Sequence, residues 1–205
     1  GNTVDMRQAG NTNANGVYLY YSANSKLNGN KIHGMNYGVY HYTASIPSSS
    51  TSNRRYEVIN NMIIAESGYP LYTYYPDTVN IYHNTVIARG NVPALQMYAS
   101  SSNPSFVDVR NNILIAEEEV AVRTNRPVSS MILNLDHNIY HSGGSNLLNL
   151  NGTSYADLLA AQTAYPTLNL HSIEGLPTFA GADDLHVVGP LANNVGDNTV
   201  GVSID

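Results

Sequence analysis

Apolar and polar positions along this chain fall into a frame that recurs around an asparagine. With Asn112 as zero, apolar residues sit five and three places before it, Val107 and Val109, and two places after it, Leu114. The same frame holds Tyr56, Val58 and Ile63 around Asn61, Val79, Ile81 and Val86 around Asn84, and Leu133, Leu135 and Tyr140 around Asn138. Around Asn30 it keeps Leu27 and Ile32 but has Ser25 at the first position, and at Asn2 it begins at the corner, with Val4 following. These asparagines, at 2, 30, 61, 84, 112 and 138, lie 28, 31, 23, 28 and 26 residues apart. A period in the twenties with strand, corner and strand in each unit marks a solenoid, because one unit cannot bury its apolar face alone and a stack can.

Each unit carries a third apolar strand beyond its asparagine, which makes the coil a three-sided prism. Side chains alternate along a strand, so Val17/Leu19, Val39/His41, Leu71/Thr73, Leu95/Met97, Val120/Val122 and Leu148/Leu150 are expected to point inward. Gly16, Gly38 and Gly143-Gly144 mark tight corners before that strand, and the Ser-rich stretch from Ser45 to Asn53 reads as a longer excursion that accounts for the 31-residue spacing. The repeated asparagine has a physical reason. Its short amide tolerates an unusual corner backbone and hydrogen-bonds the main chain of its own coil and the next, which stacks into a ladder.

The outward positions of the third strand form two rows. Aligned coil to coil, one reads Tyr18, Tyr40, Tyr72, Gln96, Ala121, Asn149 and the other Tyr20, Tyr42, Tyr74, Tyr98, Arg123, Asn151, so seven of the first eight positions are tyrosine. Neighbouring strands lie about 4.8 Å apart, and four stacked tyrosines would make an aromatic surface about 14 Å long. Aromatic faces beside hydroxyls and amides suit sugar rings, which makes Tyr18, Tyr20, Tyr40, Tyr42, Tyr72, Tyr74, Gln96, Tyr98 and Arg123 the candidate ligand-binding residues. The competing explanation is that tyrosine favours strands and that a stack of them protects an exposed sheet or meets a neighbouring domain.

Residues 1–152 thus read as coils, and 153–205 as a C-terminal segment of the same domain that covers the open end. A helix is expected over Ser154 to Ala164, with Ser154 as cap, Asp157 three places on, Tyr155, Leu158, Leu159 and Gln162 on one side, and Pro166 as stop. His83 and His137 stand where Asn60 and Asn111 precede the ladder asparagine, so they read as corner residues. His41 falls inward beside Thr73, and no metal site is read from the histidines.

Composition narrows the partners. Charged residues make up 12% of the chain and the formal net charge is −6, so nine Lys+Arg form no basic stripe for nucleic acid. No apolar run approaches the length that inserts into a membrane. The absence of cysteine excludes a disulfide scaffold and a thiolate zinc site.

The run of Gly-Val-Tyr-type strand, apolar strand, Asn corner and apolar strand over residues 1–152 resembles the right-handed parallel β-helix of the pectate-lyase-like superfamily. The tail, with Leu176-Pro177-Thr178-Phe179 and Asp184-Leu185-His186-Val187, is similar to the C-terminal segment of secreted bacterial β-helix repeat proteins. The fold class expected is therefore all-β, a right-handed parallel β-helix with three strands per coil and one short C-terminal helix. The resemblance implies a segment of a longer bacterial protein, secreted or at the cell surface, with coils upstream and flanking domains of the same chain as partners. The tyrosine rows on such a fold give the expectation of a carbohydrate-binding or adhesive module for a polysaccharide or cell-surface glycan, with a polysaccharide lyase and a ligand-free spacer as alternatives. In the lyases that it resembles, a basic residue works with calcium held by carboxylates. Here Arg123 is the basic residue of the two rows and the catalytic candidate, with Asp77 and Glu117-Glu118-Glu119 nearby, though none of these positions matches a lyase motif. Ca²⁺ is the cofactor implied in that case, and none is implied otherwise.

Overall fold

The computed structural model describes residues 1–7, 11–20, 22, 24–42, 55–74, 78–98, 105–125, 131–192 and 195–200. The Ser45 to Asn53 excursion, Asp77 and the segment from Val202 to Asp205 lie outside these residues. Three sheets wrap one core as a parallel β-solenoid. The first takes Thr3–Asp5, Lys31–Gly34, Met62–Ala65, Thr85–Ala88, Ile113–Ala116, Ile139–Ser142 and Ile173–Glu174. The second takes Val17–Tyr20, Val39–Tyr42, Leu71–Tyr74, Leu95–Tyr98, Val122–Thr124 and Leu148–Leu150, and is extended by Thr153–Tyr155. The third takes Ser25–Asn28, Arg55–Ile59, Thr78–Tyr82, Ser105–Arg110 and Met131–Asp136.

The repeating frame folds as read. Val107, Val109 and Leu114, and their counterparts around Asn61, Asn84 and Asn138, are all buried in one core cluster, together with Val39, Leu71, Leu95 and Met97 from the second sheet. Asn61, Asn84, Asn112 and Asn138 are buried and form a ladder along the solenoid. In each step the backbone N–H and the side-chain amide of one asparagine donate to Oδ1 of the next: Asn30 to Asn61 at 2.9 and 3.0 Å, Asn61 to Asn84 at 2.9 and 3.0 Å, Asn84 to Asn112 at 2.9 and 2.9 Å, and Asn112 to Asn138 at 2.9 and 3.1 Å. The series ends where the Asn138 N–H donates to Ser172 Oγ at 3.1 Å.

Backbone strain sits one residue earlier than the sequence suggested. Gly29, Asn60, His83, Asn111 and His137 take left-handed φ values of 69°, 56°, 55°, 61° and 55°, and the asparagine that follows each of them does not. This conformation favours Gly and tolerates Asn and His better than branched residues, which explains that position's composition.

One register differs from the sequence alignment. Leu95 pairs with Val122 and Met97 with Thr124, not with Val120 and Val122, a shift of two residues. Both alignments satisfy the alternation; what selects the observed one is the longer corner, in which Val120 and Ala121 are buried and the Ala121 carbonyl accepts from the Leu95 N–H.

The C-terminal segment also departs from expectation. Thr153–Tyr155 is a strand antiparallel to Leu148–Leu150, joined through Asn151-Gly152 with φ of 56° and 79°, as in a tight hairpin. The helix therefore spans Leu158–Ala164, with Asp157 and not Ser154 as its cap, accepting from the Ala160 N–H at 2.7 Å. It buries Leu158 and Ala161 against the end of the core, while Leu159 is exposed. Among the described residues no helix is long and apolar enough to cross a membrane.

Beyond Ile173–Glu174 the chain turns back along the outside of the first sheet. That face carries Ile64, Ile87 and Ile115 in register, and Leu185 and Phe179 pack over them. Asp183 pairs with Arg7 and lies 3.7 Å from Arg89, whose Nη1 reaches Glu66 at 2.8 Å. Further on, Asp197 exchanges backbone bonds with the Asn111 side chain at 2.6 and 2.9 Å and receives Arg110 at 2.8 Å. The segment is a strap as well as an end cap.

Hydrogen bonds from Thr199, and after them the Arg110 guanidinium, depress the Asp197 carboxyl to about 2. A carboxyl depressed in the folded chain stabilises it above the ordinary value near 4, and that stability is lost as pH falls through the depressed value. Proteolytic cleavage within 176–200 is therefore expected to stay constant from pH 7 to about 4 and to rise between about 4 and 2. Thermolysin near neutral pH and pepsin from about pH 5 to 2, each normalised to an unstructured reference peptide and with cleavage sites mapped by mass spectrometry, check this; unchanged normalised cleavage down to about pH 2 would remove the Asp197 anchor.

Candidate functional site

The outer face of the second sheet gathers the tyrosines. Parallel register places Tyr18, Tyr40, Tyr72 and Gln96 in one row and Tyr20, Tyr42, Tyr74 and Tyr98 in the next. Period-2 alternation produces this outward face, because Val39, Leu71, Leu95 and Met97 occupy the core. Tyr18 and Tyr20 are 50% and 55% exposed, and the tyrosines further along are partly buried by their neighbours. The described part of the C-terminal strap packs on the first sheet, so it leaves this face open.

Ring orientation changes what the face offers. Tyr20, Tyr42, Tyr74 and Tyr98 stack in sequence, with centroids 5.3, 4.9 and 4.8 Å apart and planes within 16°. In the other row Tyr18 stacks on Tyr40 at 5.0 Å, and Tyr40 meets Tyr72 at 5.0 Å with a tilt of 55°. A ring between two stacked neighbours has both faces occupied, so the middle of the array offers ring edges instead of a flat aromatic surface. Tyr18 and Tyr20, on the edge strand, keep more of their rings accessible.

Two further tyrosines belong to the array. Tyr37 lies 4.7 Å from Tyr40 and 5.8 Å from Tyr69, and Tyr69 meets Tyr72 edge-on at 5.1 Å. Their signal in the sequence is position: each stands two residues before the third strand of its coil, at Tyr37-Gly38-Val39 and Tyr69-Pro70-Leu71. Burial first, and then the neighbouring phenols Tyr37, Tyr18 and Tyr42, push the Tyr40 hydroxyl up to about 12. Burial likewise raises Tyr37 and Tyr72. These three phenols stay protonated at neutral pH and remain hydrogen-bond donors.

The register shift moves Arg123. It pairs with Gln96 on one side and Asn149 on the other, so it extends the row of Tyr18, Tyr40 and Tyr72, while Ala121 leaves the rows for a buried corner. Arg123 forms an ion pair with Glu119 four residues before it. Gln96 is buried, with its amide 3.4 Å from the Met97 carbonyl. Asn149 turns to the hairpin, accepting from the Gly152 N–H at 3.1 Å and donating to Ser154 Oγ at 3.0 Å, and Asn151 is a turn residue. The tyrosines and Arg123 therefore share one face, but the end bearing Gln96, Arg123 and Asn149 is already engaged within the protein.

His41 is buried and inward beside Thr73, as read, and its ring stacks on Tyr56 at 4.0 Å with planes 6° apart. His83 and His137 occupy the left-handed corner position. No spacing along the chain joins His137 to His171, which the last turn brings together with Asp136.

Comparison with protein-family models, with curated proteins and with solved structures finds no match for this chain in any of the three. What is established is the parallel β-solenoid with its buried asparagine ladder.

Proposed function

We propose that this chain is a carbohydrate-binding or adhesive β-helix module, of the pectate-lyase-like type, belonging to a larger bacterial protein that is secreted or held at the cell surface. The observation that carries the reading is the tyrosine face: two parallel rows of tyrosines, one of them stacked along its length, on one side of the solenoid. The phenols of Tyr37, Tyr40 and Tyr72, which burial keeps protonated at neutral pH, match the hydroxyls of an extended polysaccharide. The accessible rings of Tyr18 and Tyr20 offer an apolar surface for a sugar ring at one end. Because the basic group of this face, Arg123, is paired with Glu119, the ligand favoured is a neutral glycan over a polyuronate. The same pairing weighs against a lyase, which needs a basic group released toward substrate.

A glycan array followed by calorimetry tests the proposal. Tyr42→Ala and Tyr72→Ala, at the middle of the array, are each expected to weaken binding by about 1 kcal/mol or more, with the fold retained. Arg123→Ala is expected to leave affinity within about twofold, since a surface pair of this kind contributes ~0–1 kcal/mol. Failure to bind any glycan would favour a spacer, and release of an unsaturated product would favour a lyase.

A further inference from the structure

We propose that Asp136, His137 and His171 form a binding site for a divalent transition ion of the Zn²⁺ type, at the corner between the third and first sheets and away from the tyrosine face. One ligand atom from each residue lies within 4.8 Å of the others. Asp136 Oδ2 is 2.8 Å from His171 Nδ1 and 3.8 Å from His137 Nε2. A tetrahedral ion with bonds of about 2.0–2.1 Å holds its ligand atoms roughly 3.3 Å apart, between those two distances.

What separates this cluster from an ordinary ion pair is how its atoms are held. His137 sits at the left-handed corner, and its Nδ1 faces the Val195 carbonyl at 2.9 Å. A carbonyl there accepts the Nδ1 proton, so the lone pair is left on Nε2, the nitrogen that faces Asp136; an outer hydrogen bond of this kind accompanies most metal-bound imidazoles. Asp136 is oriented in the same way. Its Oδ1 accepts from the His137 N–H at 2.9 Å and the His171 N–H at 2.7 Å, which leaves Oδ2 for the two rings. Arg110, in register with Asp136 on the neighbouring strand, is occupied by Asp108 and Asp197 and does not compete for that oxygen.

The third ligand is adjustable. His171 is 62% exposed and stacks on His137 with centroids 4.5 Å apart, so a rotation about its side-chain bonds brings Nδ1 into the plane of a shared ion. The ion then takes the place of the proton between His171 Nδ1 and Asp136 Oδ2, and the neutral imidazole carries its proton on Nε2 instead. Two imidazoles and one carboxylate suit Zn²⁺, Ni²⁺ or Cu²⁺ and not Ca²⁺, which takes six to eight oxygens. With three protein ligands, a fourth position remains open on the exposed side.

The test uses the whole chain, treated with chelator and titrated with ZnCl₂ by calorimetry and with CoCl₂ by visible absorption. The parent chain is expected to bind one Zn²⁺ saturably and to give the intense cobalt bands of a four-coordinate site. His171→Ala and Asp136→Asn are each expected to weaken Zn²⁺ binding by more than the roughly 10–100-fold that loss of an outer hydrogen-bond partner costs. The first removes an exposed side chain, and the second keeps the oxygen that accepts the two backbone bonds, so both variants should fold; circular dichroism verifies this. His186→Ala, which removes an exposed histidine paired with Asp184, should bind Zn²⁺ as the parent does. No saturable binding by the parent chain, or equal affinity in His171→Ala, would overturn the site.

Discussion

Asn112→Ala is expected to melt roughly 5–10 °C below the parent chain, a loss of about 2–3 kcal/mol. The Asn112 side chain accepts from both the backbone and the side chain of Asn84, and its own amide donates to the Ile81 carbonyl at 2.8 Å, the Arg110 carbonyl at 2.9 Å and Asn138 Oδ1 at 3.1 Å. Alanine leaves the Asn84 N–H without its acceptor in a dry corner. A buried donor left unmade costs about 1–3 kcal/mol, more than the ~1 kcal/mol that a made bond contributes. Asn112→Asp sharpens the comparison. It keeps the acceptor for Asn84 but turns a carboxylate toward two carbonyls and Asn138 Oδ1, so it should be no better than alanine. Thermal melts followed by circular dichroism decide this, and an unchanged midpoint for Asn112→Ala would mean that the ladder is ornament on a core that stands without it.

Leu185→Asp is expected to release the strap while the coils stay folded. Leu185 is 2% exposed against Ile64, Ile87 and Ile115, and burying a leucine of this kind contributes about 1.5–3 kcal/mol. A carboxylate in its place has no cationic partner among those residues, so the segment detaches instead of burying the charge. The uncovered isoleucines then form an apolar stripe along the first sheet, and such stripes promote association. The expected readings are cleavage within 176–188, stronger binding of a hydrophobic dye and a far-ultraviolet β signal close to the parent. Leu185→Asp that resists protease like the parent would show that the ion pairs of Asp183 and Asp197 hold the strap by themselves.

Much of the fold could be read from residues in order, because the solenoid's rules are local and repeated. Alternation along a strand assigns Val107 and Val109 inward whatever lies on the far side, and a recurrent corner asparagine has one arrangement, the ladder, that satisfies its amide in every coil. The strap left a trace in the same strands. Ile63-Ile64, Val86-Ile87 and Leu114-Ile115 are paired apolar residues, not an alternation with polar ones, and continuous apolar runs mark strands covered on both faces. What covers them does not follow from those runs, since Leu185 lies far along the chain and meets them only after the last turn reverses direction.

The rest needed the tertiary structure. A two-residue shift preserves alternation, so Val120/Val122 and Val122/Thr124 are equal as patterns; corner length decides between them and thereby places Arg123 beside Gln96. Alternation puts the tyrosines on the outer face, yet what that face offers depends on side-chain torsions, which stack the rings on one another and leave their edges outward. His171 is thirty-odd residues from Asp136 and His137, outside the repeating frame, and no spacing rule joins them. The sequence by itself determined the coil, its core and its ladder, because period and alternation act over a few residues. Only the tertiary structure decided the strap, the ring stacking and the Asp136, His137 and His171 cluster, because each arises where distant segments meet.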